Sequence, residues 1–504
     1  MNYTIEKVTT LIGARRYGTK EANISFVLTD SRSLCFPEET LFFALKTERN
    51  DGHNYIPELY ARGVRNFVVE VVPDNWETLY SGSNFLKVVG SLEALQRLAE
   101  RHRDEFLIPI VGITGSNGKT MVKEWLYQLL SPQMVVTRSP RSYNSQIGVP
   151  LSVWLLNENT QVGVFEAGIS KPGEMMALRD IIQPTIGVFT SLGTAHQENF
   201  PSIEAKCKEK LCLFHDTQAI VYSMDDDVLT HCLAQYNYQG EQLSWSTKHT
   251  DATFYIKSIE KKDIETTVTY TWKGGKEAQY KLPFIDDASV ENSITCAVVA
   301  LHLGVTQSAL AERMAQLEPV AMRLEVKEGQ HGCTLINDSY NSDYNSLDIA
   351  LDFMNRRPDH KGRKRTLILS DILQSGEDDK ELYNKVAFLC EKRGVDKFIG
   401  IGEGLLAERN AFKHLGEKHF FATINAFIHS EVFANLHDEV ILLKGARQFG
   451  FDHLTELLVK KVHETVLEVN LNAVVDNLNW YRSFMKPETK LVCMIKLMLM
   501  ELEP

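Results

Sequence analysis

The segment from Ile108 to Thr120 constrains this chain more than any other. Ile108-Pro109-Ile110-Val111-Gly112-Ile113 has the apolar character of a buried strand, and Thr114-Gly115-Ser116-Asn117-Gly118-Lys119-Thr120 follows it as a glycine-rich turn. Met121, Val122, Trp125, Leu126, Leu129 and Leu130 then recur at helical spacing. A strand, a glycine turn and a helix in that order aim several backbone N–H groups and the positive end of the helix dipole at one point. Such a point binds polyphosphate, with Lys119 reaching the β- and γ-phosphates and the Thr120 hydroxyl available to Mg²⁺. The strict G-x-x-x-x-G-K-[ST] pattern is not met, because its first glycine would fall on Ile113. The loop is a shorter form.

The same strand–loop–helix alternation continues through Val162–Phe165, Thr185–Phe189 and Ala219–Tyr222, which implies a parallel sheet covered by helices. A third α/β unit starts near Pro319, with strands expected at 333–336, 366–369, 397–401 and 440–443. Before the phosphate loop, Phe26–Leu28, Leu41–Leu45 and Phe67–Val72 read as strands, and Ser91–Phe106 reads as a helix. Residues 253–282 alternate Thr, Val, Tyr and Ile, and a β-hairpin insertion is expected there. The domains are therefore expected at 1–106, 107–317 and 318–462, with 463–504 behaving differently. The fold class is α/β, with a central P-loop parallel-sheet domain and a Rossmann-like domain after it.

Length supports more than one core, since 504 residues exceed what a single hydrophobic core organises. A formal net charge of −12 argues against broad nucleic-acid binding. The eight cysteines form no C-x-x-C pair and read as reduced thiols. No apolar run is long enough for a membrane helix, and the first residues lack a signal-peptide pattern, so a cytoplasmic protein without membrane or nucleic-acid partners is expected.

Glu166 follows the strand ending at Phe165, and His196 follows the strand expected at 186–192. Loops at the carboxyl ends of strands in an open parallel sheet converge on one crevice, so both could face the phosphate loop and hold a metal.

These residues stand in strings that resemble the Mur ligase family of peptidoglycan synthesis. Thr114–Thr120 resembles its ATP loop, and Asn144-Ser145-Gln146-Ile147-Gly148-Val149-Pro150 its N-N-x-I-G-V-P segment, with Ser145 departing. Glu166-Ala167-Gly168 and Ala195-His196 resemble its metal-binding segments, with Ser191 standing where many members carry Asn. Ala205–Phe214 resembles the stretch that holds a carbamylated lysine. Lys210 is the match from the trailing aromatic, and Lys208 and Lys206 are alternatives. Asn292 resembles the adenine-contacting Asn, although the preceding His-Asn reads Ala288-Ser289. Arg323, Asp338, Tyr340, Asn341 and Lys444 resemble the contribution of the C-terminal domain. Asp30-Ser31-Arg32, Leu41–Lys46 and Asp51-Gly52-His53 resemble the UDP-substrate domain of the subgroup that adds D-alanyl-D-alanine. Lys123-Glu124 and Glu166–Glu174 also look like that subgroup.

The resemblance implies ATP-driven amide formation between UDP-N-acetylmuramoyl-tripeptide and D-alanyl-D-alanine, through an acyl phosphate. It implies Lys119, Lys210 and His196 as catalytic groups. ATP would be bound by Thr114, Gly115, Ser116, Asn117, Gly118, Lys119, Thr120, Asn292, Arg323 and Asp338. Substrate would be bound by Ser31, Arg32, Asn144, Tyr340, Asn341 and Lys444. Thr120, Glu166, His196 and carbamylated Lys210 would hold two Mg²⁺ ions. Folylpolyglutamate synthetases share the ATP domain and give an alternative substrate; a nucleotide-binding pseudo-ligase is an alternative of another class.

From about Val466 the chain resembles the first strand and helix of alanine racemase, and Leu491–Lys496 resembles the strand presenting the lysine that binds pyridoxal phosphate. Leu497-Met498-Leu499-Met500 then replaces the expected glycine-containing continuation. A barrel needs about 200 residues, so no racemase activity and no pyridoxal phosphate are expected of this chain.

Overall fold

The computed structural model describes residues 3–47, 50–193, 197–262, 265–320, 324–339, 342–357, 362–373, 375 and 377–460, with Asn345 and Arg447 described for backbone only. The racemase-like segment 463–504 lies outside the described residues. The chain forms two compact units, the smaller built mainly on residues 14–91 and the larger on 92–462.

The smaller unit holds a five-stranded sheet in the order Arg15–Tyr17, Asn84–Lys87, Asn66–Val69, Thr40–Phe43, Phe26–Leu28, parallel except for the first strand. Phe42, Phe67 and Phe85 fill its core, with Phe67 and Phe85 stacked at 5.3 Å. The Asp51-Gly52-His53 string is a structural clasp. Asp51 Oδ1 accepts from the His53 backbone N–H at 3.0 Å and lies 2.6 Å from its Nδ1. The opposite ring nitrogen then accepts the backbone N–H groups of Glu70 and Val71 at 3.1 and 3.4 Å. Gly52 allows this approach, because a Cβ there would lie 2.6 Å from Leu45 N. Sequence reading missed the strand Asn84–Lys87, which begins on a buried asparagine whose amide donates to Asn66 Oδ1 at 2.8 Å.

In the larger unit a nine-stranded sheet runs Glu277–Leu282, Glu265–Trp272, Phe254–Lys262, Glu241–Ser246, Ala219–Ser223, Ile186–Phe189, Ile110–Thr114, Val162–Glu166, Val136–Arg138. The strand Ile110–Thr114 is flanked by Val162–Glu166 on one side and Ile186–Phe189 on the other, all parallel. Chain order reverses there, so the loops after Thr114, Glu166 and Phe189 open on one crevice. Residues 253–282 form three antiparallel strands that extend this sheet, rather than a two-stranded hairpin. The helix expected to run to Phe106 closes earlier, as Ser91–Arg103.

A second sheet in this unit has six strands, Glu325–Glu328, Thr334–Asp338, Glu439–Lys444, Lys364–Ser370, Lys397–Ile401 and Glu417–Phe421. All neighbours are parallel except the first pair. The edge strands Val136–Arg138, Glu325–Glu328 and Glu417–Phe421 escaped sequence reading because they are half-exposed and rich in charge.

Candidate active site

Gly115 and Gly118 give the phosphate loop its shape, with φ of +145° and +86°. Both also permit close approach. A Cβ on Gly115 would lie 2.0 Å from Thr190 Oγ1, and one on Gly118 would lie 2.4 Å from Asn292 Oδ1. The helix Lys119–Leu130 starts at the end of this loop. Lys119 Nζ donates to the carbonyls of Gly115 and Ser116 at 2.8 and 3.2 Å, so the lysine is held over the loop. Thr114 is fully buried, its hydroxyl donating to the Ala167 carbonyl at 2.9 Å, which ties two strand ends together beneath the loop.

A cavity of about 370 Å³ opens above the loop, lined by Gly115 to Met121, Asn144, Lys210 and Asn292 from the nine-stranded side. Asp338 and Lys444 reach it from the six-stranded sheet. Both sheets therefore contribute to one site. Asp338 and Lys444 are register partners on adjacent strands, and Lys444 Nζ donates to Asp338 Oδ2 at 2.6 Å in a buried ion pair.

The three lysines of the helix Ile203–Leu211 separate cleanly. Lys208 is exposed, while Lys206 and Lys210 are buried. Lys210 lines the cavity and donates to the Gly115 carbonyl at 3.1 Å. Lys206 donates to the Gly193 carbonyl. Burial, reinforced by the positive charges of Lys119 and Lys206, pushes the Lys210 ammonium well below the usual lysine range. Burial likewise lowers Lys206 to about 8, with Asp343 opposing and Lys119 assisting.

Glu166 is fully buried at the end of its strand. Its Oε2 accepts from the Thr120 hydroxyl at 3.1 Å and from the Asn144 amide at 3.4 Å. Ser142 Oγ lies 3.0 Å from the same Thr120 oxygen. Glu166 Oε1 lies 3.2 Å from Lys123 Nζ but has no hydrogen bond among the described residues. Lys123, fully buried, also donates to the Ser139 and Arg141 carbonyls and pairs with Glu124 at 2.9 Å. Sequence reading noted Lys123 without a role, and Ser142 not at all. No sequence signal marked Ser142, whose relevance depends on how its loop returns to Thr120.

A hard divalent cation fits this donor set. Thr120 and Glu166 offer oxygen ligands side by side, and Glu166 Oε1 is a buried acceptor without a hydrogen bond. No group of three or more His, Cys, Asp or Glu side chains placed to hold a metal ion is found among the described residues. His196, Arg323, Tyr340 and Asn341 lie outside the described residues. Ser31 and Arg32 belong to the smaller unit: Ser31 is buried, its carbonyl accepting from Arg62 at 2.7 Å, and Arg32 is exposed and paired with Asp30 at 2.6 Å.

Comparison with known proteins adds an independent line of support. Residues 23–103 match the catalytic domain of the Mur ligase family, and residues 113–300 match the Mur ligase middle domain. The UDP-N-acetylmuramoyl-tripeptide–D-alanyl-D-alanine ligase of Bacillus subtilis is 27% identical over 396 residues, covering 77% of this chain and 82% of the relative. Its Escherichia coli counterpart is 25% identical over 469 residues, covering 91% and 98%. Among solved structures, MurF from Acinetobacter baumannii superposes with a TM-score of 0.78 at 22% identity, covering 91% of this chain and 99% of that one. MurF from Thermotoga maritima in complex with ADP gives 0.70 at 21%, covering 90% and 98%. At these identities the structural likeness speaks for the fold, a mixed α/β architecture of the three-domain Mur ligase type.

Proposed function

We propose that the chain is a Mur ligase, two models of that family matching residues 23–103 and 113–300, and that it is the ATP-dependent ligase that joins D-alanyl-D-alanine to UDP-N-acetylmuramoyl-tripeptide. The observation that carries this reading is the convergence of Lys119, Lys210 and Asn292 with Asp338 and Lys444 on a single cavity. Relatives that add D-alanyl-D-alanine, matched over most of their length, support the choice of substrate. We place the reaction in the cytoplasm, where both precursors are made. No helix among the described residues is long and apolar enough to cross a membrane.

A carboxylate is a poor electrophile, so the chemistry starts by activating it. One carboxylate oxygen of the tripeptide attacks the γ-phosphorus of ATP, the bond to the β-phosphate oxygen breaks, and ADP leaves. The amine of D-alanyl-D-alanine then attacks the acyl-phosphate carbonyl. Collapse of the tetrahedral intermediate expels inorganic phosphate, and the amine loses a proton to give the amide. Phosphoryl transfer demands positioning and charge neutralisation more than covalent help.

The residues of this chain supply both. Backbone N–H groups of Gly115 and of Asn117 to Lys119 would cradle the phosphates, that of Ser116 being held by the Ser191 carbonyl at 2.7 Å, and Lys119 leaves its carbonyl partners to meet them. Thr120 and Glu166 would hold Mg²⁺, which neutralises phosphate charge when bound. Lys210, which lines the same cavity, would add an anionic oxygen as its carbamate; the neutral amine is the form that reacts with carbon dioxide, and the surroundings of Lys210 favour it. Asn292 stands over Gly118, where it can reach the base or ribose. We assign 1–106 to substrate binding, 107–317 to ATP and 318–462 to completing the site, with His196, Arg323, Tyr340 and Asn341 in their family roles.

Phosphate release from ATP tests this assignment. It should require both UDP-N-acetylmuramoyl-tripeptide and D-alanyl-D-alanine; release indifferent to the dipeptide would defeat it.

A further inference from the structure

The strand Ile186–Phe189 leads into residues 190–193, which are strapped to the phosphate loop by hydrogen bonds. Thr190 Oγ1 and Ser191 Oγ both donate to the Asn117 carbonyl, the second at 3.2 Å. The Ser191 carbonyl accepts from the Ser116 backbone N–H at 2.7 Å. Ser116 and Gly193 bond reciprocally: the Ser116 hydroxyl donates to the Gly193 carbonyl at 3.1 Å and accepts from the Gly193 N–H at 2.9 Å. Both residues are buried, so these bonds meet little competition from water.

Lys206 anchors the far end of this strap, its Nζ donating to the same Gly193 carbonyl. The side chain is buried, and it does not line the cavity. Burying an ammonium costs free energy that an apolar side chain of the same length would not. Burial works against the charge, the carboxylate of Asp343 favours it and Lys119 opposes it; at about 8, Lys206 is still an ammonium at neutral pH. Asp343 caps the helix Tyr344–Arg356, which brings Ser346 and Ile349 to the cavity. Lys210 lies one turn further along the helix of Lys206 and donates to the Gly115 carbonyl at 3.1 Å. One helix therefore grips the phosphate loop twice, directly through Lys210 and by way of the strap through Lys206.

We propose that Lys206 is a positioning residue for phosphoryl transfer, anchoring residues 190–193 at Gly193 so that the phosphate loop keeps the shape that receives the γ-phosphate. The proposal rests on the reading that this cavity takes ATP. The strap engages the Ser116 N–H and the Asn117 carbonyl, while Lys119 engages the Gly115 and Ser116 carbonyls. With those groups turned to the protein, the N–H groups of Asn117, Gly118 and Lys119 can converge on an anion. A hydrogen bond from an ammonium is about twice as strong as a neutral one, so Lys206 fixes the Gly193 peptide more firmly than Ser116 alone. Without it, Gly193 loses its charged partner, and any shift of the strap carries Ser116 and Asn117 with it.

The test is steady-state turnover of the full chain with ATP, UDP-N-acetylmuramoyl-tripeptide and D-alanyl-D-alanine, for the parent, K206M, K206R, S116A and K206M/S116A, with a melting temperature for each. K206M should lower kcat about a hundredfold, the cost of a reacting group displaced by about 1 Å. It should raise KM for ATP and leave KM for the dipeptide at the parent value, a split that a smaller folded fraction cannot give. K206R keeps a cationic donor and should return most of the lost rate. The double variant should lose no more than the worse single one, because both side chains act on the Gly193 peptide. If K206M does not fold, K206Q takes its place; loss of the fold in both makes Lys206 structural and overturns the proposal. Unchanged kcat and KM for ATP in the folded variant, a K206R as slow as K206M, or losses in K206M and S116A that add independently each overturn the role of Lys206, while parent turnover keeps the ligase reading intact. A parent chain without ATP-dependent turnover overturns both.

Discussion

Lys444 and Asp338 form a 2.6 Å ion pair across adjacent parallel strands, and both side chains are buried where the six-stranded sheet meets the ATP cavity. A buried pair of this kind is costly to break from one side, because the remaining charge stays desolvated. K444M should therefore lower stability by about 3–5 kcal/mol. The double variant K444M/D338L should recover much of that stability in denaturant titration. It should not recover ligase turnover, because both charges face the cavity.

Gly118 couples the phosphate loop to the helix Asp287–His302, which carries Asn292. An alanine there would be strained at φ +86° and would collide with Asn292 Oδ1 at 2.4 Å. G118A should weaken ATP binding about five- to a hundredfold, the equivalent of about 1–3 kcal/mol of backbone strain. Equilibrium dialysis with ATP would show it, and circular dichroism should report an intact fold.

Lys123 holds Glu166 without touching the cavity. Its ammonium contacts Glu166 Oε1 at 3.2 Å and ties the carboxylate to the Ser139 and Arg141 carbonyls. If Glu166 binds Mg²⁺, K123M should raise the Mg²⁺ concentration needed for half-maximal turnover about ten- to a hundredfold, the usual effect of losing an outer-shell partner. A fall in turnover that no Mg²⁺ concentration relieves would instead assign Lys123 a purely structural role.

Acid sensitivity should arise in the six-stranded sheet. Burial works against ionisation of Glu417, yet the hydrogen bond from Lys364, the charge of Lys397 and the contact with His419 hold its carboxyl down to about 2, from an ordinary 4.5. A depressed carboxyl stabilises the fold above its unfolded value and loses that contribution as pH falls towards the folded one. Melting temperature should therefore drop between pH 4.5 and pH 2, and E417Q should flatten that part of the profile. The Glu417 side chain is still 37% exposed, so solvent screening should keep the effect modest.

How legible the molecule was in its sequence varies with how far its parts reach. The strand, glycine turn and helix around Lys119 are local, and the structure has them close to where periodicity places them, as Ile110–Thr114 and Lys119–Leu130. The pairing of Glu166 with Thr120 also follows, because Glu166 ends the strand parallel to Ile110–Thr114, whose loop leads straight to Thr120 at the start of the helix. By contrast, Lys123 and Glu166 are 43 positions apart, and nothing local says that a buried lysine on the helix will meet that carboxylate. The clasp of His53 was visible as a motif, but its work is to accept two backbone N–H groups from a distant turn. The third strand within 253–282 was hidden by a lysine- and glutamate-rich sequence that fits an edge strand and a loop equally well.

The central claim is that the two sheets of the larger unit build one ATP-driven ligase site. The most direct measurement is steady-state phosphate release with ATP, UDP-N-acetylmuramoyl-tripeptide and D-alanyl-D-alanine, for the parent chain and for K119A. The account predicts turnover only when all three substrates are present, a product whose mass equals tripeptide precursor plus dipeptide minus water, and a loss of at least a hundredfold in K119A, about 2.7 kcal/mol of transition-state stabilisation. Phosphate release at the same rate without D-alanyl-D-alanine, or undiminished in K119A, would contradict it.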